Sequence, residues 1–206
     1  MSDRAAYGIG AGVYDILAGE AIYRIGRVEG VRMLGLRHGD TVLDVGCGTG
    51  LNLALLADAV GPTGSVIGLD RSAQMLEVAR HRIEKERWSH VRLVEADATD
   101  FRLDAIGGRP VDAVISTYAM SVIDAPAAAW THMRAALRPG GRACIVDMQV
   151  PTGRARIFAP LARLACAIGG SDIHAHPWQL LLADGQDLDT RSLRGGHIQV
   201  VAGTLR

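Results

Sequence analysis

Three glycines at alternate positions directly behind an apolar strand constrain this chain more than any other feature. In Leu43-Asp44-Val45-Gly46-Cys47-Gly48-Thr49-Gly50, strand residues run into an acid and then a turn. Glycine at Gly46, Gly48 and Gly50 lets the turn adopt dihedrals that a Cβ would penalise and lets a ligand approach the backbone closely. The spacing narrows the ligand. A dinucleotide turn requires G-x-G-x-x-G, and here Leu51 stands where the third glycine would fall, which disfavours a nicotinamide oxidoreductase. No Gly-Lys-Ser/Thr follows, so the turn is not a P-loop. What remains is D-x-G-x-G-x-G, a strand-to-helix turn for a nucleoside cofactor, with Asp44 facing positive charge.

This turn and the residues after it resemble the class I S-adenosylmethionine-dependent methyltransferases. The resemblance implies a cofactor with an adenine, a ribose and a zwitterionic methionine tail but no phosphate. Ser65-Val66-Ile67-Gly68-Leu69-Asp70 reads as a second buried strand ending in an acid. A carboxylate there can accept hydrogen bonds from both ribose hydroxyls. A third strand, Val91-Arg92-Leu93-Val94, leads into Glu95-Ala96-Asp97-Ala98, where the resemblance assigns Asp97 to the adenine amino group. The amides of the helix opening after Gly50 suit the methionine carboxylate. The residues expected around S-adenosyl-L-methionine are Asp44, Gly46, Cys47, Gly48, Gly50, Asn52, Asp70, Arg71, Met75, Asp97, Ala98 and Thr117. For Asp70 and Asp97 the competing role is to cap the chain that follows, as Ser72 also can. Cys47 is read as packing rather than as a nucleophile, since no histidine lies nearby in sequence.

The chain has 206 residues, enough for one sizeable core, and the reading is a single domain over residues 1–206. Within it, residues 1–38 form a helical cap segment, 39–149 the cofactor-binding core, and 150–206 a substrate-side helix and the last strands. Lys+Arg and Asp+Glu both number 22, so no net field draws the chain to nucleic acid. Three dispersed cysteines outside any C-x-x-C suggest a reducing compartment without structural zinc. Charged residues interrupt the first thirty positions and no apolar run is long enough to span a membrane, so the expected location is cytoplasmic.

Alternating strand and helix patterns predict an α/β fold: a doubly wound, Rossmann-like seven-stranded sheet, mostly parallel, with helices on both faces. Strands are expected at 41–45, 65–70, 91–94, 111–116, 142–147, 186–193 and 197–204, with helices at 50–59, 73–87, 126–137 and 153–168. The resemblance further implies that the last strand enters antiparallel between strands five and six. Arg138-Pro139-Gly140-Gly141 stops the helix before strand five.

Methyl transfer from a sulfonium asks mainly for in-line geometry and a dry site, so the lack of a nucleophile triad is expected. Tyr118, after strand four, is the first candidate to orient the acceptor or wall the sulfonium, and Tyr14 is the second. His174 and His176 alternate as metal ligands could, but no cysteine or carboxylate cluster completes a site, and no metal is expected. His197 is read as structural. Tyr14-Asp15 and the run Thr117 to Ile123 resemble two groups: the lipid-headgroup amine methyltransferases and the quinone C-methyltransferases of ubiquinone and menaquinone synthesis. The expected acceptor is a small molecule or lipid, a lipid amine slightly ahead of a quinone or phenol. The alternative of another class is a non-catalytic S-adenosylmethionine-binding protein.

The short segment between strands five and six leaves little room for a lid, which favours a small, open or membrane-delivered acceptor. Residues 153–168 combine Ile157, Phe158, Leu161, Leu164 and Ile168 with Arg154, Arg156 and Arg163. Two arrangements suit that pattern. One is a helix packed on the sheet with its arginines in water, which the apolar stripe favours. The other is an interfacial helix making a peripheral membrane contact.

Overall fold

A computed structural model describes residues 20–206. Strands β1 (Thr41–Val45), β2 (Ser65–Asp70), β3 (Val91–Glu95), β4 (Val111–Thr117), β5 (Leu137–Met148), β6 (Gln186–Leu193) and β7 (Ile198–Thr204) form one sheet in the order β3-β2-β1-β4-β5-β7-β6. The first five strands run parallel, and β7 lies between β5 and β6 antiparallel to both. The doubly wound sheet and the inserted last strand are therefore as expected. The strand order reverses between β1 and β4, which opens a crevice at their carboxyl ends.

Among the described residues six helices cover the sheet: α1 (Glu20–Leu34), α2 (Leu53–Val60), α3 (Ala73–Glu86), α4 (Pro126–Ala136), α5 (Ala159–Ile168) and α6 (Trp178–Asp184). Side chains alternate along the strands and so feed two cores. On one face Val42, Ile115, Cys144 and Val146 pack with Val31 and Leu34 of α1 and Leu53 and Leu56 of α2. On the other, Leu43, Val114 and Ile145 pack with Trp130 and Met133 of α4 and Trp178 and Leu181 of α6. β6 is the exposed edge, and Asp187, Asp189 and Arg191 along it discourage pairing with another strand.

Four expectations need correction. The second helix begins at Leu53 rather than at residue 50, because the glycine turn continues through Asn52. Strand five begins at Leu137: Leu137 already pairs with Val111, and the Pro-Gly-Gly segment bulges out before Arg142 pairs with Ala113. Residues 149–185 hold more than a short link, since α6 was not foreseen there. Residues 153–168 split into a 3₁₀ turn, Gly153–Phe158, and α5, with Pro160 in the first turn of the helix.

The orientation of α5 also departs from the favoured arrangement. Ala159, Ala162 and Cys166 face the body, while Ile157, Phe158, Leu161 and Leu164 point away from the described residues. Small residues let the helix settle close over Met148 and Ile173, which leaves the large ones outside.

α6 is a core element despite its seven residues. Leu181 is fully buried, and Asp184 at the end of α6 accepts from Trp130 Nε1 at 2.7 Å and from Arg134 at 2.8 Å, which ties α6 to α4. Leu181→Ala is expected to lower unfolding free energy by about 2–5 kcal/mol in denaturant titration. A loss under about 1 kcal/mol would show α6 to be peripheral to folding.

Candidate active site

The glycine turn sits at the crevice and is closed from beneath by backbone bonds. The Gly46 and Cys47 amides donate to the Leu69 carbonyl at 2.8 and 3.0 Å, and the Gly50 amide donates to Cys47 at 2.9 Å. A Cβ on Gly46 would lie 2.3 Å from Ala119 Cβ, and its φ is +73°, so only glycine fits under the loop after β4. Gly48 is the opposite case. Its φ is +54°, yet a Cβ there would meet nothing within 4 Å, so this side of the turn opens onto free space.

Asp70 reaches that opening from the end of β2. One carboxylate oxygen accepts from the Gly48 amide at 2.8 Å and the other from the Ser72 amide at 2.9 Å. Each oxygen retains a second acceptor site for a ligand hydroxyl. Ser72 itself caps α3 by accepting from the Met75 amide at 3.3 Å. Asp70 thus performs the structural role weighed for it and still faces the opening.

Asp44 lies below the turn with no exposed surface. Both its oxygens accept from Asn52 Nδ2 at 3.1 Å, and the same nitrogen donates to Thr117 Oγ1 at 3.0 Å. Burial pushes the Asp44 carboxyl up to about 7 against the lowering effect of Asn52, with Asp70 adding to the rise and Arg27 opposing it. A cation arriving at the turn favours the anionic form of such a group.

The remaining expected residues divide. Met75 and Ala98 are buried near the ends of α3 and β3, while Arg71 is exposed beside Asp70. Asp97 is exposed, and one of its oxygens accepts from the Thr99 amide at 2.8 Å and the Thr99 hydroxyl at 2.6 Å, which holds its carboxyl below the usual range. Cys47 is buried, and burial, then Asp44 and Asp70, raise its thiol well above the ordinary value, which suits packing. Tyr14 lies outside the described residues. Among those residues no cluster of metal-ligating side chains occurs, and His176 instead stacks against Trp178 at 5.0 Å between ring centres.

Tyr118 takes a left-handed backbone, φ +57°, which costs a non-glycine residue about 1–2 kcal/mol. Its hydroxyl donates to the Tyr23 carbonyl of α1 at 2.8 Å, and its ring lies 5.1 Å from that of Tyr23 and 5.7 Å from the Arg27 guanidinium. The hydroxyl is thereby committed to α1, and burial raises its pKa far above the ordinary tyrosine value. Nearby, His197 Nδ1 lies 2.6 Å from the Gln149 carbonyl oxygen, so Nδ1 donates and Nε2 meets the Tyr23 hydroxyl at 3.2 Å.

Sequence reasoning placed Ser121 in the run after strand four but missed Asp147 and the bond between them. Asp147 is fully buried at the end of β5 and accepts from the Ser121 amide (2.9 Å), the Ser121 hydroxyl (2.7 Å) and the Met148 amide (2.8 Å). The Ser121 carbonyl in turn accepts from the Asp172 amide at 2.9 Å. Asp147 therefore holds the loop after β4 and, through Ser121, the segment that follows α5. Its strand-end position was the only local signal, because its partner lies 26 positions away.

Two expectations follow. Tyr118→Phe loses one buried hydrogen bond and is expected to destabilise the fold by about 1 kcal/mol while leaving ligand affinity at the turn unchanged. Thermal melting and titration measure the two separately, and unaltered stability would show that the bond to α1 contributes nothing. Burial raises the Asp147 carboxyl from 3.8 to about 6, so between these values the native chain holds a proton that the unfolded chain has released. This contribution to stability is complete below that window and is lost as pH rises through it. Asp147→Asn removes it, so the melting temperature of the native chain relative to the variant is expected to fall as pH rises from about 4 to about 6. A constant difference would show that Asp147 does not titrate there.

The family described as a methyltransferase domain matches residues 42–141. An arsenite methyltransferase of Halobacterium salinarum is 36% identical over 115 residues, 53% of this chain and 27% of that protein. A 2-phytyl-1,4-naphthoquinone methyltransferase of Trichormus variabilis is 35% identical over 135 residues, 64% of this chain and 57% of that protein. The chain thus spans less than two thirds of these curated relatives. Among solved structures, a SAM-dependent methyltransferase from Aquifex aeolicus superposes with a TM-score of 0.69 at 17% identity, covering 95% of this chain and 97% of the other.

Proposed function

Because this chain belongs to the class I S-adenosylmethionine-dependent methyltransferases, we propose that it transfers the sulfonium methyl group to a lipophilic small molecule or lipid. The single observation that carries this reading is the glycine turn, open at Gly48 and flanked by the Asp70 carboxylate. That arrangement suits a phosphate-free nucleoside: no Gly-Lys-Ser/Thr accompanies the turn, and the acid at the end of β2 suits a ribose.

S-adenosylmethionine supplies an activated methyl group whose departure leaves a neutral thioether. The rest falls to the chain. Asp70 would accept from the ribose hydroxyls, its direction fixed by its bonds to the Gly48 and Ser72 amides. Asp44 places negative charge beneath the turn, held in orientation by Asn52. Thr117 and Ala119 extend from β4 over the turn, and Tyr118 supplies an aromatic surface rather than a free hydroxyl. Holding reactants in line within a site from which water is excluded can lower a barrier by about 7–11 kcal/mol, so no dedicated base is required for an amine acceptor, which loses its proton to water afterwards.

The two curated relatives are named for arsenite and for a naphthoquinone and neither for a lipid amine, so their names do not decide between a lipid amine and a quinol. Both belong to the proposed class, and the exposed apolar side chains around α5 at the ligand end of the sheet support a lipophilic partner. Among the described residues no helix is long and apolar enough to cross a membrane.

Asp70→Ala is expected to weaken S-adenosylhomocysteine binding by about 3 kcal/mol, or ~100-fold, as two charge-assisted bonds are lost. Asp70→Asn, which can still accept from the Ser72 amide, separates ligand contact from support of the turn. Calorimetry within about threefold of the native value in both folded variants would remove Asp70 from the site. Transfer of labelled methyl to aminolipids, quinols or phenols tests turnover. Cofactor binding without transfer to any acceptor class would favour the non-catalytic alternative.

A further inference from the structure

The 3₁₀ turn and α5 are amphipathic in the wrong sense for a helix that covers a core. Their buried side is made of Ala159, Ala162 and Cys166, small residues that seat the helix over Met148. Their outer side carries Ile157, Phe158, Leu161 and Leu164, which are 77%, 57%, 66% and 58% exposed with respect to the described residues. Isolated exposed apolar residues need no explanation, but four on one short element form a patch of the kind that meets a partner.

The charge around the patch indicates which partner. From Gln149 to Ser171 there is no aspartate or glutamate, whereas Arg154, Arg156 and Arg163 are all present and exposed. In a chain with equal numbers of acidic and basic residues overall, this local excess is a deliberate asymmetry. An apolar stripe bordered only by arginines matches a membrane interface with anionic headgroups: side chains enter the acyl boundary and guanidinium groups remain among phosphates. The position is consistent. α5 packs on the carboxyl end of β5, beside Tyr118 and one residue from Asp147, so the patch borders the end of the sheet where the glycine turn opens.

We propose that the outer face of residues 154–164 docks the protein on anionic lipid surfaces and so presents the crevice to an acceptor carried in the membrane. The docking itself is independent of methyl transfer. The delivery of an acceptor rests on the function proposed above.

The test is flotation of the full chain with vesicles of phosphatidylcholine, alone or mixed equally with phosphatidylglycerol, at low and high salt. Binding is expected to favour the anionic vesicles and to weaken with salt. Replacing Leu161 and Leu164 together by aspartate is expected to reduce binding at least about tenfold, and replacing the three arginines by glutamine about fivefold for each arginine removed. All five leucine and arginine sites are exposed with respect to the described residues, so both variants should melt like the native chain and bind S-adenosylhomocysteine equally well. Absence of vesicle binding at low salt by chain that still binds S-adenosylhomocysteine overturns the docking and leaves the methyltransferase reading intact. Vesicle binding without any binding of S-adenosylhomocysteine does the reverse. A native dimer that the leucine variant converts to monomer, with no affinity for vesicles, would assign the face to a second copy of the chain and overturn the proposal.

Discussion

A carboxyl group with no exposed surface stands where β1, α2 and β4 meet, and the geometry of the crevice depends on it. Asn52 Nδ2 reaches both oxygens of Asp44 and also Thr117, so one side-chain amide bonds the end of β1 to the end of β4. These are the two parallel strands between which the strand order reverses. Burying a charge here is costly, as the rise of the Asp44 carboxyl to about 7 indicates. Breaking the bond would leave a buried acceptor unsatisfied, at about 1–3 kcal/mol, so the strand ends hold their positions. The cost of burial is thereby converted into a fixed seat for the glycine turn.

Most of the sheet was legible in the sequence because its strands are short, apolar and bounded by glycine, proline or an acid. β1, β2 and β6 fall at the expected residues, and Asp70 ends β2 as expected, where it accepts from the Gly48 amide. What could not be read were contacts whose partners lie far apart along the chain. The Tyr118 hydroxyl meets a main-chain carbonyl 95 positions away, and main-chain acceptors carry no sequence signature. Asp147 is equally opaque, since its partner Ser121 lies in an irregular loop. The short α6 escaped notice because seven residues are too few to establish a helical period.

Asp44 and Asp147 follow the same plan on β1 and β5, the two strands that flank β4. Each is fully buried, has its carboxyl raised by burial, and satisfies its oxygens with donors from the segment that crosses the strand end. Asp44 secures the ligand turn, whereas Asp147 secures the loop after β4 and, through Ser121, the connection that leads from α5 to α6. The two halves of the crevice are thus anchored separately. A sheet organised this way can vary residues 149–185 without disturbing the bonds that shape the glycine turn.

The inversion of α5 shows why periodicity alone leaves the orientation of a helix undetermined. An apolar stripe specifies that one side of a helix avoids water, but not whether protein or another apolar phase receives it. Here space decides. The end of β5 is already filled by Met148 and Ile173, with Tyr23 and Tyr118 alongside, so only a side made of alanine and cysteine fits against it. Turning the helix over would require large residues to occupy room that alanine now fills, an overpacking cost of about 1–3 kcal/mol. The chain instead forgoes roughly 1.5–3 kcal/mol of burial for each large apolar side chain left outside. That deficit ends when something apolar covers the face, so the same residues that weaken the isolated fold provide the driving force for docking.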